Sequence, residues 1–412
     1  MACRRRGILY GLIIATACFA VADEIADIAL TWIIVSHTGS AGWTGLAGAI
    51  GMVPLIAGAF FGGALVDRLG MRRMALLAGF LGLAVAVAIP VMLGQLGVVL
   101  PLLLASIFAA ELFDVPAEIA IEAQLPELAR FGRMPLERVN ALDELVETLA
   151  ALAGPLLAGL AMSRLGAIAA LWTVAAVAAA GVAVLCCALP RRRNDPARRR
   201  SAARPLSIGD GWRLIWTTPV LRWITLVAAL LTTLLVSLEG VLLPVLMQQS
   251  GRSALDLGWV LAAAGGGAAV GTAGYAWKGH LMSPRAVVFT GILGLAGSTA
   301  ALALFTQTGP VCVAAALGGM AAGPMSPLLN SQVQRHAPRA LRGRVLGIAT
   351  GVILLCMPAG LLGLGVAAEL FGARAALIGT AAAFAGAGFL ALASRTLADM
   401  QPDARSGRMT QA

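Results

Sequence analysis

Runs of about 20 mainly apolar residues recur along the whole chain, which is what a helix needs to cross a bilayer. Twelve can be counted, at about 8–35, 43–66, 74–94, 98–122, 139–162, 166–189, 219–247, 255–277, 286–306, 310–332, 344–368 and 374–396. Hydrophobic residues make up 59% of the 412 and charged residues 12%, against about 45–50% and about 25% in soluble domains. None of the runs alternates with period two, so a β-barrel is not expected. The expected fold is all-α and integral to the membrane, with twelve spanning helices.

The net charge of +10 could suggest nucleic acid, but its placement argues against that. Only Arg164, Arg252 and Arg374 fall in the connections after the fifth, seventh and eleventh spans. The other 27 of 30 basic residues lie at the termini, in the opposite loops or at helix ends facing them. This is the asymmetry of cytoplasmic loops, and it predicts that both termini are cytoplasmic. Arg4 to Arg6 followed by an apolar run imitates a signal peptide, yet the apolar run resumes from Ile25 to Val35. The six cysteines show no C-x-x-C spacing and read as small apolar residues. No metal site is expected.

Acids inside the spans are the unusual feature. An ionised side chain at mid-bilayer costs about 2.5–3.5 kcal/mol on insertion scales, so it must face protein, water or a passing solute. In the fourth span Glu111, Asp114, Glu118 and Glu122 are spaced three, four and four apart, which puts them on one stripe of a helix. The first span carries Asp23, Glu24 and Asp27, with Asp23 and Asp27 one turn apart. Thirteen of the 20 acids precede residue 190, and in the second half only Glu239 lies well inside a span. Trp32 and Asn330 are weaker candidates for lining a polar path.

Residues 190–218 interrupt the pattern with prolines and clustered arginines, followed by a short stretch bearing Trp212 and Trp216. The composition predicts a non-spanning linker whose Trp-bearing part can lie along lipid headgroups. The organisation expected is one six-helix bundle over 1–189, the linker, a second bundle over 219–397 and a tail over 398–412. The halves echo one another: Glu137-Arg138-Val139-Asn140 opens the fifth span much as Gly343-Arg344-Val345-Leu346 opens the eleventh. Paired six-helix halves with a midplane site between them are a transporter pattern.

Residues 62–73 read G-G-A-L-V-D-R-L-G-M-R-R. Gly63, Asp67, Arg68, Gly70, Arg72 and Arg73 match the signature loop of the major facilitator superfamily, which the chain resembles. The resemblance implies a cytoplasmic gate in which Asp67, Arg68 and Arg72 meet Glu118 or Glu122, with Arg138, Asp143 and Glu144 nearby. Residues 151–159, A-L-A-G-P-L-L-A-G, resemble the superfamily's antiporter motif, with Gly154, Pro155 and Gly159 in register. Ala150 and Ala158 stand where that motif has glycine. Three further stretches, 38–46, 136–142 and 335–345, resemble the branch containing enterobactin exporters and macrolide or multidrug efflux pumps.

What the resemblance implies is a secondary active exporter of the bacterial inner membrane, exchanging a small amphipathic or cationic molecule, such as a drug or siderophore, for protons. Asp23, Asp27, Glu111, Asp114 and Glu239 would serve proton coupling and the cavity, since burial favours the protonated form of a carboxyl. The expected partners are the substrate, protons and membrane lipids, with no cofactor and the chain acting as a monomer. Two other cargoes suit the same fold, a lysophospholipid or other lipid and a divalent metal. Against the metal, His37, His280 and His336 all lie in or near loops. No nucleophile–base pair or phosphate loop is visible, so an enzyme is not expected.

Overall fold

A computed structural model describes residues 2–112, 116–118, 121, 134, 136–188, 208–279, 282–305, 307–338 and 342–393. Among the described residues there is no strand. The first half contains α1 (Ala2–Thr38), α2 (Ala41–Leu69), α3 (Met71–Leu96), α4 (Leu100–Glu111), α5 (Leu136–Leu165) and α6 (Ala167–Ala188). A short α7 (Ile208–Thr217) leads into α8 (Pro219–Ser237), which passes through a π turn (Leu238–Leu242) into α9 (Leu243–Gln249). There follow α10 (Ala254–Lys278), α11 (Pro284–Leu304), α12 (Thr308–Ala322), α13 (Met325–His336), α14 (Arg342–Phe371) and α15 (Ala373–Ala393). Among the described residues eleven spans are long and apolar enough to cross a membrane. To these α1 adds a helix of 37 residues that carries the three acids of the first span. The chain is an all-helical, multi-pass membrane protein.

The chain divides into two compact units. The first holds Met1–Pro205, Leu235–Ala262 and Met357–Ala373. In it α1 packs against α5 and α6, α3 against α6, and α2 against α4. Its core includes Leu9, Leu12, Val66, Met74, Ile121 and Val139. The second holds Leu206–Leu234, Ala263–Cys356 and Arg374–Ala412. Here lipid removes much of the hydrophobic drive for helix association, so close packing of small residues takes over. Gly267 and Gly271 of α10 lie against the backbone of α12 at Ala316 and Met320. Hydroxyls add to the contact: Thr272 donates to the Gly323 carbonyl at 3.0 Å, and Ser298 to that of Ala314 at 2.7 Å.

The signature loop folds as its glycine requires. Gly70 has φ of +87°, a left-handed value that favours glycine. Its N–H donates to the Val66 carbonyl at 2.8 Å, closing α2, and its own carbonyl accepts from Met74 N–H at 3.0 Å, opening α3. On the opposite face, the turn after α1 is tied to the end of α14. Ser40 caps α2 by accepting from Trp43 N–H at 3.2 Å, while its hydroxyl donates to Glu369 Oε2 at 2.9 Å. The same carboxylate oxygen accepts from Gly42 N–H at 3.2 Å. A carboxylate held at a helix start by charge-assisted bonds strengthens the contact.

A carboxylate bonded at a helix N-terminus contributes about 0.3–1 kcal/mol, up to roughly a fivefold change in an opening equilibrium. Glu369→Ala, which leaves the Ser40 cap in place, is therefore expected to raise impermeant maleimide labelling of a Thr44→Cys reporter by up to about fivefold. Thr44 is buried one turn below Ser40. Labelling that does not change would mean the clasp carries no part of the closure.

Candidate transport site

Four elements bring polar features to similar depth. Counting 1.5 Å per residue from the helix ends on the face of the Ser40–Glu369 clasp, Glu24 lies about 21 Å in, and Glu111, Gly154 and Glu239 about 15–17 Å in. The hydrocarbon core is about 30 Å thick, so all four sit near its middle.

Glu24 is the centre of this group. Gly154 of α5 packs directly on its Cβ, leaving no room for a side chain at 154. The glycine of the antiporter motif is thus the notch that lets α1 and α5 meet at an acid. Glu24 is half-buried, and its charge acts with that of Asp27 one turn along and with Glu239 of the π turn. Helix α1 packs on that turn. The side chain of Glu239 is exposed at this depth, not packed away in the core.

The π turn has a local cause. Pro244 has no N–H to give the Gly240 carbonyl, and its ring crowds that oxygen. The helix widens instead, with Leu243 N–H donating to the Leu238 carbonyl five residues back. Such single-turn bulges recur at functional positions.

The sequence-derived candidates divide as follows. Asp23 and Asp27 are exposed on α1, and Trp32 is half-buried two turns beyond Glu24. Glu111 is half-buried at the end of α4, with Gly51 of α2 facing its Cγ. Asp114 and Glu122 lie outside the described residues, and nothing is described of the side chains of Asp67 and Glu144. Asn330 is exposed in the second unit, whereas its neighbour Gln332 is almost fully buried. Sequence reasoning passed over Glu24 because the Asp23–Asp27 spacing drew attention to the neighbouring face. The signal that could have found it was Gly154.

The gate segments converge through their apolar neighbours. Val66 precedes Asp67, Met74 follows Arg73, Ile121 precedes Glu122 and Val139 follows Arg138, and all four are buried in one cluster. Arg68, Arg138 and Glu118 are exposed, while Arg72 and Asp143 are half-buried. Pro155 and Gly159, the rest of the antiporter motif, face the start of α10. A Cβ on Gly159 would lie 2.7 Å from the Ala254 carbonyl oxygen, and one on Gly258 would lie 2.5 Å from that of Pro155. Among the described residues no group of three His, Cys, Asp or Glu could hold a metal ion.

Long spanning helices around mid-depth acids are an architecture found in membrane transporters. The chain belongs to the major facilitator superfamily, whose family model matches residues 12–360. It is 30% identical over 382 residues to the multidrug efflux pump Tap of Mycolicibacterium fortuitum, covering 91% of this chain and 92% of that one. It is also 30% identical over 317 residues to the enterobactin exporter EntS of Shigella boydii, covering 72% of this chain and 71% of that one. Among solved structures, the nucleoside transporter NupG superposes with a TM-score of 0.79 at 11% identity, covering 94% of this chain and 98% of that one.

Proposed function

We propose that this chain is a proton-coupled exporter of a small amphipathic or cationic molecule, working by alternating access in the bacterial inner membrane with both termini cytoplasmic. The observation that carries this reading is that Glu24 and Glu239, one acid from each half of the chain, lie near mid-membrane within reach of each other's charge, with α1 packed on the π turn. Neither has a basic partner among the described residues. Two acids at that depth repel when both are charged, so the pair favours holding either a proton or a cation. Protonation from outside would release a bound cation, and loss of the proton inside would restore the binding form.

Asp23, Asp27, Glu111 and Asp114 extend the acidic path in this reading, with Trp32 and Asn330 at its edges. Asp67, Arg68, Arg72, Glu118, Glu122, Arg138, Asp143 and Glu144 form the cytoplasmic gate, and Gly154, Pro155 and Gly159 the hinge. The kinship with a multidrug efflux pump and a siderophore exporter supports export over uptake. The protein acts as a monomer.

The test uses inverted vesicles with an imposed proton gradient and a fluorescent lipophilic cation. Accumulation of the dye, collapsing on addition of a protonophore, is the expected result. Accumulation that survives the protonophore would rule out the coupling.

A further inference from the structure

The segment before the second half ends in an amphipathic helix whose role the transport cycle leaves open. In α7, Ile215 is buried while Trp212 and Trp216, one turn apart, are exposed. Their rings meet at 5.7 Å between centroids, tilted by 58°. Indole rings with one apolar and one wet side favour the headgroup level of a bilayer. The position agrees, because α7 ends at Thr217 and the next span begins at Pro219.

An open groove lies beside these rings. Trp212, Trp216, Arg222, Leu226, Ile348 and Val352 line it, so it joins α7 to the first turns of α8 and α14. Its space of about 230 Å³ includes open surroundings, so it is a shallow surface groove and not an enclosed place for cargo. The walls are almost wholly apolar except at Arg222. That side chain donates from Nη1 to the Trp216 carbonyl at 3.3 Å, which uses one of the five guanidinium N–H groups. Arg213 is exposed on the same short helix. From Pro190 to Arg222 the chain carries nine arginines against two aspartates. Such a stretch beside a membrane attracts anionic headgroups.

We infer that this groove is a binding site for an anionic phospholipid of the leaflet in which α8 begins. The phosphate rests on Arg222 with Arg213 beside it, and part of one acyl chain lies along Leu226, Ile348 and Val352 between the indoles and α14. A bound lipid would brace the first turns of two spans against α7.

The test is indole quenching by acyl-brominated lipid, added at low mole fraction to the purified full-length protein in detergent. Brominated phosphatidylglycerol is expected to quench at on the order of tenfold lower lipid fraction than brominated phosphatidylcholine. This selective component should vanish in a Trp212→Phe/Trp216→Phe variant. Arg213→Gln/Arg222→Gln should bring the two lipids to parity, whereas Arg222→Lys, which keeps the charge, should retain most of the preference. Equal quenching by both lipids in the unaltered protein would mean non-selective solvation and overturn the inference. A preference that survives the double glutamine variant would do the same. So would an Arg222→Lys variant as impaired as Arg222→Gln, because the arginine would then act only through its bond to Trp216.

Discussion

Vesicles carrying Glu24→Gln together with Glu239→Gln are expected to accumulate no more cation under a proton gradient than vesicles without the protein. Glutamine keeps the shape and one oxygen acceptor of glutamate but cannot take up or give back the proton. Each single variant should lose most of the activity, because an alternating cycle needs both protonation states of the pair. Exchange of labelled for unlabelled substrate without a gradient should persist in the single variants, since it requires the helices to move but no proton to travel. This second measurement separates a proton carrier from a structural acid. Full gradient-driven transport in the double variant would remove the proposed coupling. Loss of both transport and exchange, with folded protein in the membrane, would assign the pair to packing or substrate contact instead.

The second large effect is steric. Gly258→Leu puts a side chain where a Cβ would already lie 2.5 Å from the Pro155 carbonyl oxygen. A Cβ on Gly365 of α14 would lie 2.9 Å from the Ala41 carbonyl oxygen, and Gly45 of α2 lies directly on the Leu361 carbonyl. Rotamer choice cannot relieve a clash between Cβ and backbone, so the helices must separate. Overpacking costs about 1–3 kcal/mol. Applied to one state of a two-state transporter, that moves the equilibrium by about 5- to 150-fold away from closure on this face. Gly258→Leu and Gly45→Leu are therefore expected to cut transport at least about tenfold while making the Thr44→Cys reporter accessible. Gly297→Ala and Gly379→Ala, where a Cβ meets nothing within 4 Å, serve as controls and should leave transport unchanged. Transport in Gly258→Leu equal to these controls would show that the contact is not a working seam.

The fold was legible in the sequence because membrane helices announce themselves through uninterrupted apolar length, and Gly70 marked the tight turn at which α2 gives way to α3. Among the candidate positions, Glu111 and Glu239 stood out in the sequence because an acid at mid-span has few bland explanations. Which acids meet was not legible. Glu24 and Glu239, whose charges reach one another, are more than 200 positions apart, and the Ser40–Glu369 clasp joins residues 329 apart. Spacing along one helix carries no information about such contacts. Glu24 shares a helix turn with both Asp23 and Asp27, so spacing alone did not single it out, whereas the notch at Gly154 does. The π turn was hidden for a related reason, because Pro244 could as well have produced a simple kink.

The glycine turns have a practical corollary. Gly39, Gly97, Gly166, Gly251 and Gly372, all at positive φ, sit in connections of only one to four residues. The Ser40–Glu369 bonds and the Gly159–Ala254 contact gather four of these connections on one face. An antibody, a protease or an inserted epitope tag would find almost no loop there to grip. Fusion partners and labels for following this protein in living cells belong on the other side.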